Sequence, residues 1–214
     1  MKVVQCWDDG LVSDIQLIDI LKKYDAKATF NISAGLNQTS RQALWCYEGT
    51  DVVALARGEL RDVYTGFDIA NHSLSHPNLT TLSEEDAYYQ ISENKRVLEY
   101  IFGREIKGFC YPFGGADEKV RDIVAQCGHT YARTTERQDS QQFGDDKFLL
   151  KPNCHFLDPD FWDLYEKAKE EGVFYFWGHT YEMKNDAMWL DFEEKIKRIT
   201  EDEDSEWDSV FNLY

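Results

Sequence analysis

Short apolar runs alternate with amphipathic helical segments along nearly the whole chain, and this alternation constrains the fold more than any other feature. The runs Lys2–Trp7, Lys27–Ile32, Phe67–Ala70, Ile106–Cys110, Thr130–Thr134, Phe148–Cys154 and Val173–Trp177 read as strands. Helices fill the intervals. Ser13-Asp14-Ile15-Gln16 fits a capping box ahead of an apolar face of Leu17, Ile18, Leu21 and Tyr24. Arg57–Tyr64 reads as helical. Ser83-Glu84-Glu85 opens the clearest helix, with Ala87, Ile91, Leu98 and Ile101 on one side and Gly103 at its end. Asp117–Cys127 is a helix closed by Gly128. Asp158 reads as the cap of a helix that starts at Pro159, and Trp189–Thr200 forms the last one. Trp45–Tyr47 and Val52–Leu55 suggest a small hairpin insertion. Glu201–Glu206 reads as an acidic turn, and Val210–Tyr214 as a short final strand. With no long linker, residues 1–214 form a single α/β domain with a mostly parallel sheet, either open and doubly wound or closed into a small barrel.

Charge removes whole classes of function. The 23 basic and 40 acidic residues give −17 at pH 7, against a nucleic-acid partner and against a basic membrane-surface domain. No run approaches the ~20 apolar residues of a membrane span, and no signal-peptide core is present. The expected location is therefore cytoplasmic, or secreted if a leader was trimmed away. The five cysteines are widely spaced without a CxxC, which reads as mostly buried free thiols.

In parallel α/β folds, active sites form at the carboxyl ends of the strands. Here those ends carry Asp8 and Asp9, then Asn71-His72-Ser73-Leu74-Ser75-His76-Pro77, then Tyr111-Pro112-Phe113-Gly114-Gly115, then Gly178-His179. His72 and His76 are spaced i, i+4, so one helical turn would bring both rings to one metal ion. A plain surface pair has the same spacing. Asp9 offers the oxygen ligand that such a pair needs, and three protein ligands leave positions open for water and substrate. Asp8 would then be free to take a proton, although Asp-Asp-Gly also suits a simple turn. His179 could donate a proton to a leaving amine, or serve only as a structural histidine.

In this order, the segments resemble the polysaccharide deacetylase family, carbohydrate esterase family 4, with its NodB homology domain. The likeness runs from Val3 to about Thr200. The motif T-F-D-D-G stands as Cys6-Trp7-Asp8-Asp9-Gly10, and H-[ST]-x-x-H as His72-Ser73-Leu74-Ser75-His76. R-x-P-[FY] stands as Cys110-Tyr111-Pro112-Phe113, and L-x-H as Trp177-Gly178-His179. The resemblance implies a distorted (β/α)7 barrel that removes an N- or O-acetyl group from a saccharide with a divalent metal ion. Zinc suits the donors, with cobalt, nickel or manganese as alternatives. By motif position, Asp9, His72 and His76 would hold the metal, Asp8 would be the base and His179 the acid. The Phe113 N–H would stabilise the oxyanion, and Tyr111, Pro112, Trp177, Arg133 and His155 would face substrate.

Departures from the pattern sharpen the expectations. Cys110 replaces the motif arginine that pairs with the base, so another cation must replace it; Arg133 is the first candidate and Lys151 the second. Trp177 stands where a leucine is usual. No aspartate–tryptophan motif to orient His179 is evident; Asp158 and Trp162 have a suggestive spacing, His155 lies in a P-x-C-H-like stretch, and Glu182 follows closely. Two other functions stay open: hydrolysis of another C–N amide such as a cyclic imide or ureide, and a non-catalytic sugar-binding descendant.

Overall fold

The computed structural model describes residues 1–138 and 146–213. The first half holds β1 (Lys2–Asp8), α1 (Asp14–Lys23), β2 (Thr29–Ile32), β3 (Gln42–Tyr47), β4 (Thr50–Ala54), α2 (Leu60–Val63), β5 (Asp68–Asn71) and α3 (Glu84–Phe102). The second half holds β6 (Gly108–Cys110), α4 (Glu118–Gln126), β7 (Tyr131–Arg133), β8 (Cys154–His155), α5 (Phe161–Glu171), β9 (Val173–Gly178), α6 (Asp186–Glu201) and β10 (Glu206–Trp207). The main sheet is parallel throughout, in the spatial order β7-β6-β5-β2-β1-β9-β8, with β10 beside the start of β1. It curls into a distorted (β/α)7 barrel. Its two ends meet through one short segment: Leu150 bridges to Arg133 on β7, and four residues later Cys154 pairs with Phe176 on β9.

Strand periodicity decides what faces the barrel axis. Along β1, Val3 and Trp7 pack outward against the helices, beside Leu17 and Leu21 of α1, Phe161 and Tyr165 of α5, and Phe192 and Ile196 of α6. Val4 and Cys6 point the other way, into a second cluster with Tyr131, Tyr175 and Leu150. The same alternation carries Asp8 inward at the top of β1. On β6 and β7, Cys110 and Arg133 are register partners, so they lie side by side on one face.

The α3 and α4 boundaries follow the expected caps. Ser83 accepts from the Asp86 N–H, Asp117 accepts from the Val120 N–H, and Gly103 closes α3 with φ +66°. Four expectations are corrected. Ser13 makes no side-chain cap; its hydroxyl bonds Thr180, while Asp14 takes the Leu11 N–H. The fifth helix starts at Phe161 behind Asp160, because Asp158 is already occupied by the His155 N–H. The acidic turn ends in β10, which continues the sheet beside β1. Val210–Leu213 is a 3-10 turn rather than a strand, and Tyr214 lies outside the described residues. The expected hairpin is present as the antiparallel pair β3–β4.

Candidate active site and metal centre

At the carboxyl ends of the strands lies a pocket of about 520 Å³. Its lining includes Asp8, Asp9, His72, His76 and His179, brought from the ends of β1, β5 and β9.

Asp9 and Gly10 both have positive φ, +88° and +76°. For an aspartate this conformation is uncommon. It breaks the strand alternation, so the adjacent Asp8 and Asp9 side chains reach the same pocket. The turn is held by the Asp9 N–H, which donates to the Asn31 carbonyl at 2.9 Å. His72 and His76 do not share a helical turn. Their segment is a loop with positive φ at Ser73 (+61°) and His76 (+57°). Asn71 accepts from the Ser73 N–H, and the Ser73 hydroxyl accepts from the His76 N–H. The loop still places the two rings 4.6 Å apart. The i, i+4 spacing is thus met by a different backbone path.

One ligand atom each from Asp9, His72 and His76 lies within 4.8 Å of the others. His72 Nδ1 donates to the Cys110 carbonyl at 2.8 Å, since a carbonyl can only accept, and this leaves the Nε2 lone pair facing Asp9. Burial depresses His72 to about 3 and lowers His76, so both rings are neutral at pH 7. The 3.8 Å separations from Asp9 Oδ1 to each Nε2 are therefore not ion pairs. Burial, which His179 and Arg133 offset only in part, pushes the Asp9 carboxyl up to about 7. Two neutral imidazole lone pairs and one under-compensated buried carboxyl fit a divalent cation.

Asp8 is equally buried but has its cation. Arg133 Nη2 donates to Oδ1 at 2.6 Å and to Oδ2 at 2.8 Å, and Asn31 donates to Oδ1 at 2.6 Å. Burial alone would raise the Asp8 carboxyl, but Arg133, with smaller help from His72, His179 and Asn31, holds it well below the usual carboxylate range. Cys110 Sγ sits 3.9 Å from Asp8. The cation therefore comes from the neighbouring strand, in the same layer as the residue it replaces. Lys151 instead pairs with Glu136 at 2.5 Å.

His179 Nε2 lies 3.9 Å from Asp8 Oδ2. Its Nδ1 is 3.2 Å from Glu182 Oε2, which also accepts the His179 N–H at 3.0 Å and His155 Nε2 at 2.8 Å. Burial would lower the His179 pKa, but Glu182, with Asp8 and Asp9, more than offsets this and raises it. Glu182 itself is held down at about 2; burial opposes this, but its two histidine partners outweigh it.

The remaining candidates divide into two groups. Tyr111, Phe113 and Trp177 line the pocket. Phe113 has φ +59°, its ring is 68% exposed and lies 4.6 Å from His76. Pro112, Arg133 and His155 are not part of the lining: Arg133 lies 4.7 Å behind the Trp177 ring, and His155 packs 4.9 Å from the same ring. Asp158 serves the His155 backbone, and Trp162 packs against Phe161 and Tyr165. Sequence reasoning passed over Asn31, Trp45, Thr135 and Tyr181. Asn31 could have been found as the inward residue next to Phe30; the others have no local signal.

A family model described as polysaccharide deacetylase matches residues 1–132. The chain is 30% identical over 95 residues to the chitin deacetylase of Amylomyces rouxii, covering 44% of this chain and 23% of that protein. It is 31% identical over 117 residues to the peptidoglycan-N-acetylmuramic acid deacetylase of Bacillus subtilis (strain 168), covering 54% of this chain and 22% of that protein. The match thus takes up under a quarter of the length of either relative. Among solved structures, a CE4 family pseudoenzyme from Bacillus anthracis aligns with a TM-score of 0.64 at 16% identity, over 99% of this chain and 64% of that one. A family 4 carbohydrate esterase from Streptomyces lividans, solved with acetate, aligns at 0.59 and 16%, over 92% and 86%. At these identities the structural likeness is one of fold.

Proposed function

Because this chain belongs to the polysaccharide deacetylase family, we propose that it hydrolyses an acetyl group from an acetylated saccharide, with a divalent metal held by Asp9, His72 and His76. One observation carries the reading: the three donors share a pocket with an ionised Asp8 and with a histidine whose proton affinity is raised. When bound, the cation supplies Lewis acidity toward the acetyl carbonyl and the attacking water. Asp8 takes a proton from that water. It is held ionised, and Arg133 and Asn31 fix its orientation. His179 presents Nε2 to the pocket because Glu182 holds Nδ1, and from Nε2 it gives a proton to the departing amine. The Phe113 N–H donates to the oxyanion, a role supported by its position in the left-handed turn at the pocket wall.

A non-catalytic sugar-binding role was motivated by the loss of the motif arginine at Cys110. The Arg133–Asp8 pair weighs against it. Acetate release from N-acetylglucosamine oligomers by metal-loaded protein tests the proposal, with cyclic imides as the competing substrates. Asp8→Asn should retain the metal and lose about 10²–10⁴-fold in kcat, while His72→Ala should lose the metal itself. Near-normal turnover by Asp8→Asn, or imide opening without acetate release, would overturn it.

A further inference from the structure

The β3–β4 hairpin reaches the pocket, yet no step proposed above uses it. It is fixed at its base and at its tip. At the base, Val12 N–H donates to the Val53 carbonyl, Leu55 N–H donates to the Gly10 carbonyl, and the Asn37 amide clamps the carbonyls of Gly10 and Leu55 at 3.0 and 2.9 Å. At the tip, Glu48 forms an ion pair with Lys184, and the Tyr47 ring lies 4.9 Å from Tyr181. The hairpin is therefore anchored at both ends.

Its pairing register breaks at one place. Gln42 faces Ala54 and Ala43 faces Val53, but the next pair is Trp45 with Val52, so Leu44 is an extra residue. Such bulges turn a strand and re-aim a side chain, and they recur beside active sites. The residue re-aimed here is Trp45, which lines the pocket and keeps 37% of its surface exposed. Its ring meets Tyr181 at 5.6 Å and 89°, and Tyr181 in turn lies 4.9 Å from His179 at 30°. The rings thus step outward from the proton-donating histidine to Tyr181 and then to Trp45.

From this succession we infer that Trp45 is the stacking platform for the sugar ring adjoining the acetylated one, braced by Tyr181, and that the chain selects oligosaccharides over single sugars. The inference rests on the saccharide reading above. A pyranose presents an apolar C–H face, and the electron-rich face of an indole attracts it. A wall already fixed at both ends loses little freedom on binding, so more of the contact energy is retained as affinity.

The test compares the wild type, Trp45→Ala and Trp45→Phe. The first readout is acetate release from N-acetylglucosamine and from its tetramer. The ratio of kcat/KM for tetramer over monomer should fall about tenfold in Trp45→Ala, mainly through KM, and recover in Trp45→Phe. The second readout needs no turnover: calorimetric titration with the fully deacetylated glucosamine tetramer, whose Kd should weaken about tenfold in Trp45→Ala. Thermal unfolding checks that each variant is folded. Trp45-dependent tetramer binding without acetate release upholds the platform and overturns the deacetylase reading. Acetate release with both ratio and Kd unchanged in Trp45→Ala overturns the platform alone. A wild type that neither binds nor turns over the tetramer overturns both.

Discussion

The proposed metal donors and the pair proposed to move protons sit in one pocket but are held by different means. Asp9 and His76 are positioned by left-handed backbone turns, with several local hydrogen bonds sharing the task, and His72 is further fixed by the Cys110 carbonyl. Asp8 and His179 instead lean on charged side chains, Asp8 on Arg133 from another strand, with Asn31 beside it, and His179 on Glu182, three residues further along. A metal demands donor positions within a few tenths of an ångström, and backbone turns and backbone hydrogen bonds hold them that closely. A carboxylate needs only a nearby cation, and an imidazole only an acceptor on its far nitrogen. The second kind of support can be delivered from another strand.

If that contrast is right, the largest effect belongs to Arg133. Arg133→Met leaves Asp8 buried without its cation and should cost about 3–5 kcal/mol in chemical denaturation. The exchange Cys110→Arg with Arg133→Cys should recover a good part of that loss, because both side chains lie in one layer on neighbouring strands. A loss below about 1 kcal/mol for Arg133→Met would break the contrast at its strongest point.

Next is the metal-free protein. The folded pKa of Asp9 lies above that of an unfolded carboxyl, so the folded state holds this proton more tightly. The resulting stability is complete below about pH 4 and is lost as the pH rises through about 7, at no more than about 1.4 kcal/mol per pH unit. Denaturation curves of chelator-treated protein should show this slope, and added zinc should flatten it. An unchanged slope with metal would remove Asp9 from the ligand set.

Smaller again is Glu182→Gln, which keeps a hydrogen-bond acceptor but removes the charge. The raised pKa of His179 means that its acid form persists below that pKa and disappears above it. The variant should lose about tenfold in kcat, and the alkaline limb of its pH–rate profile should move to lower pH. A limb that stays in place would mean that Glu182 is only structural. The smallest effect is expected for Ser73→Ala. It removes one of several bonds in the histidine loop and should weaken metal binding by only about threefold. A larger loss there than in Glu182→Gln would invert the comparison.

The same division explains what could be read in advance. The alternating elements, the strand-end placement and the gathering of Asp9, His72 and His76 are local patterns, and they were legible. Arg133 was legible only as a candidate, because choosing it over Lys151 required the register of β6 with β7. His155, expected to face substrate, packs against Trp177 and is not among the residues lining the pocket; its bond to Glu182 is a contact across 27 residues that no spacing reveals. Trp45 depends on a bulge, which carries no distinct composition.

A cysteine beside Asp8, where the family motif has arginine, looks like an invitation to oxidants. The surroundings of Cys110 argue otherwise. The thiol is fully buried, and burial, with the nearby acidic groups and against the pull of Arg133, pushes its pKa well above the ordinary value. Peroxides and alkylating reagents attack thiolates, so Cys110 is chemically quiet. Among the five cysteines only Cys46 is exposed, next to Trp45 on the hairpin. A maleimide dye should therefore attach there first, placing a reporter on the hairpin while Asp8 keeps its neighbours intact.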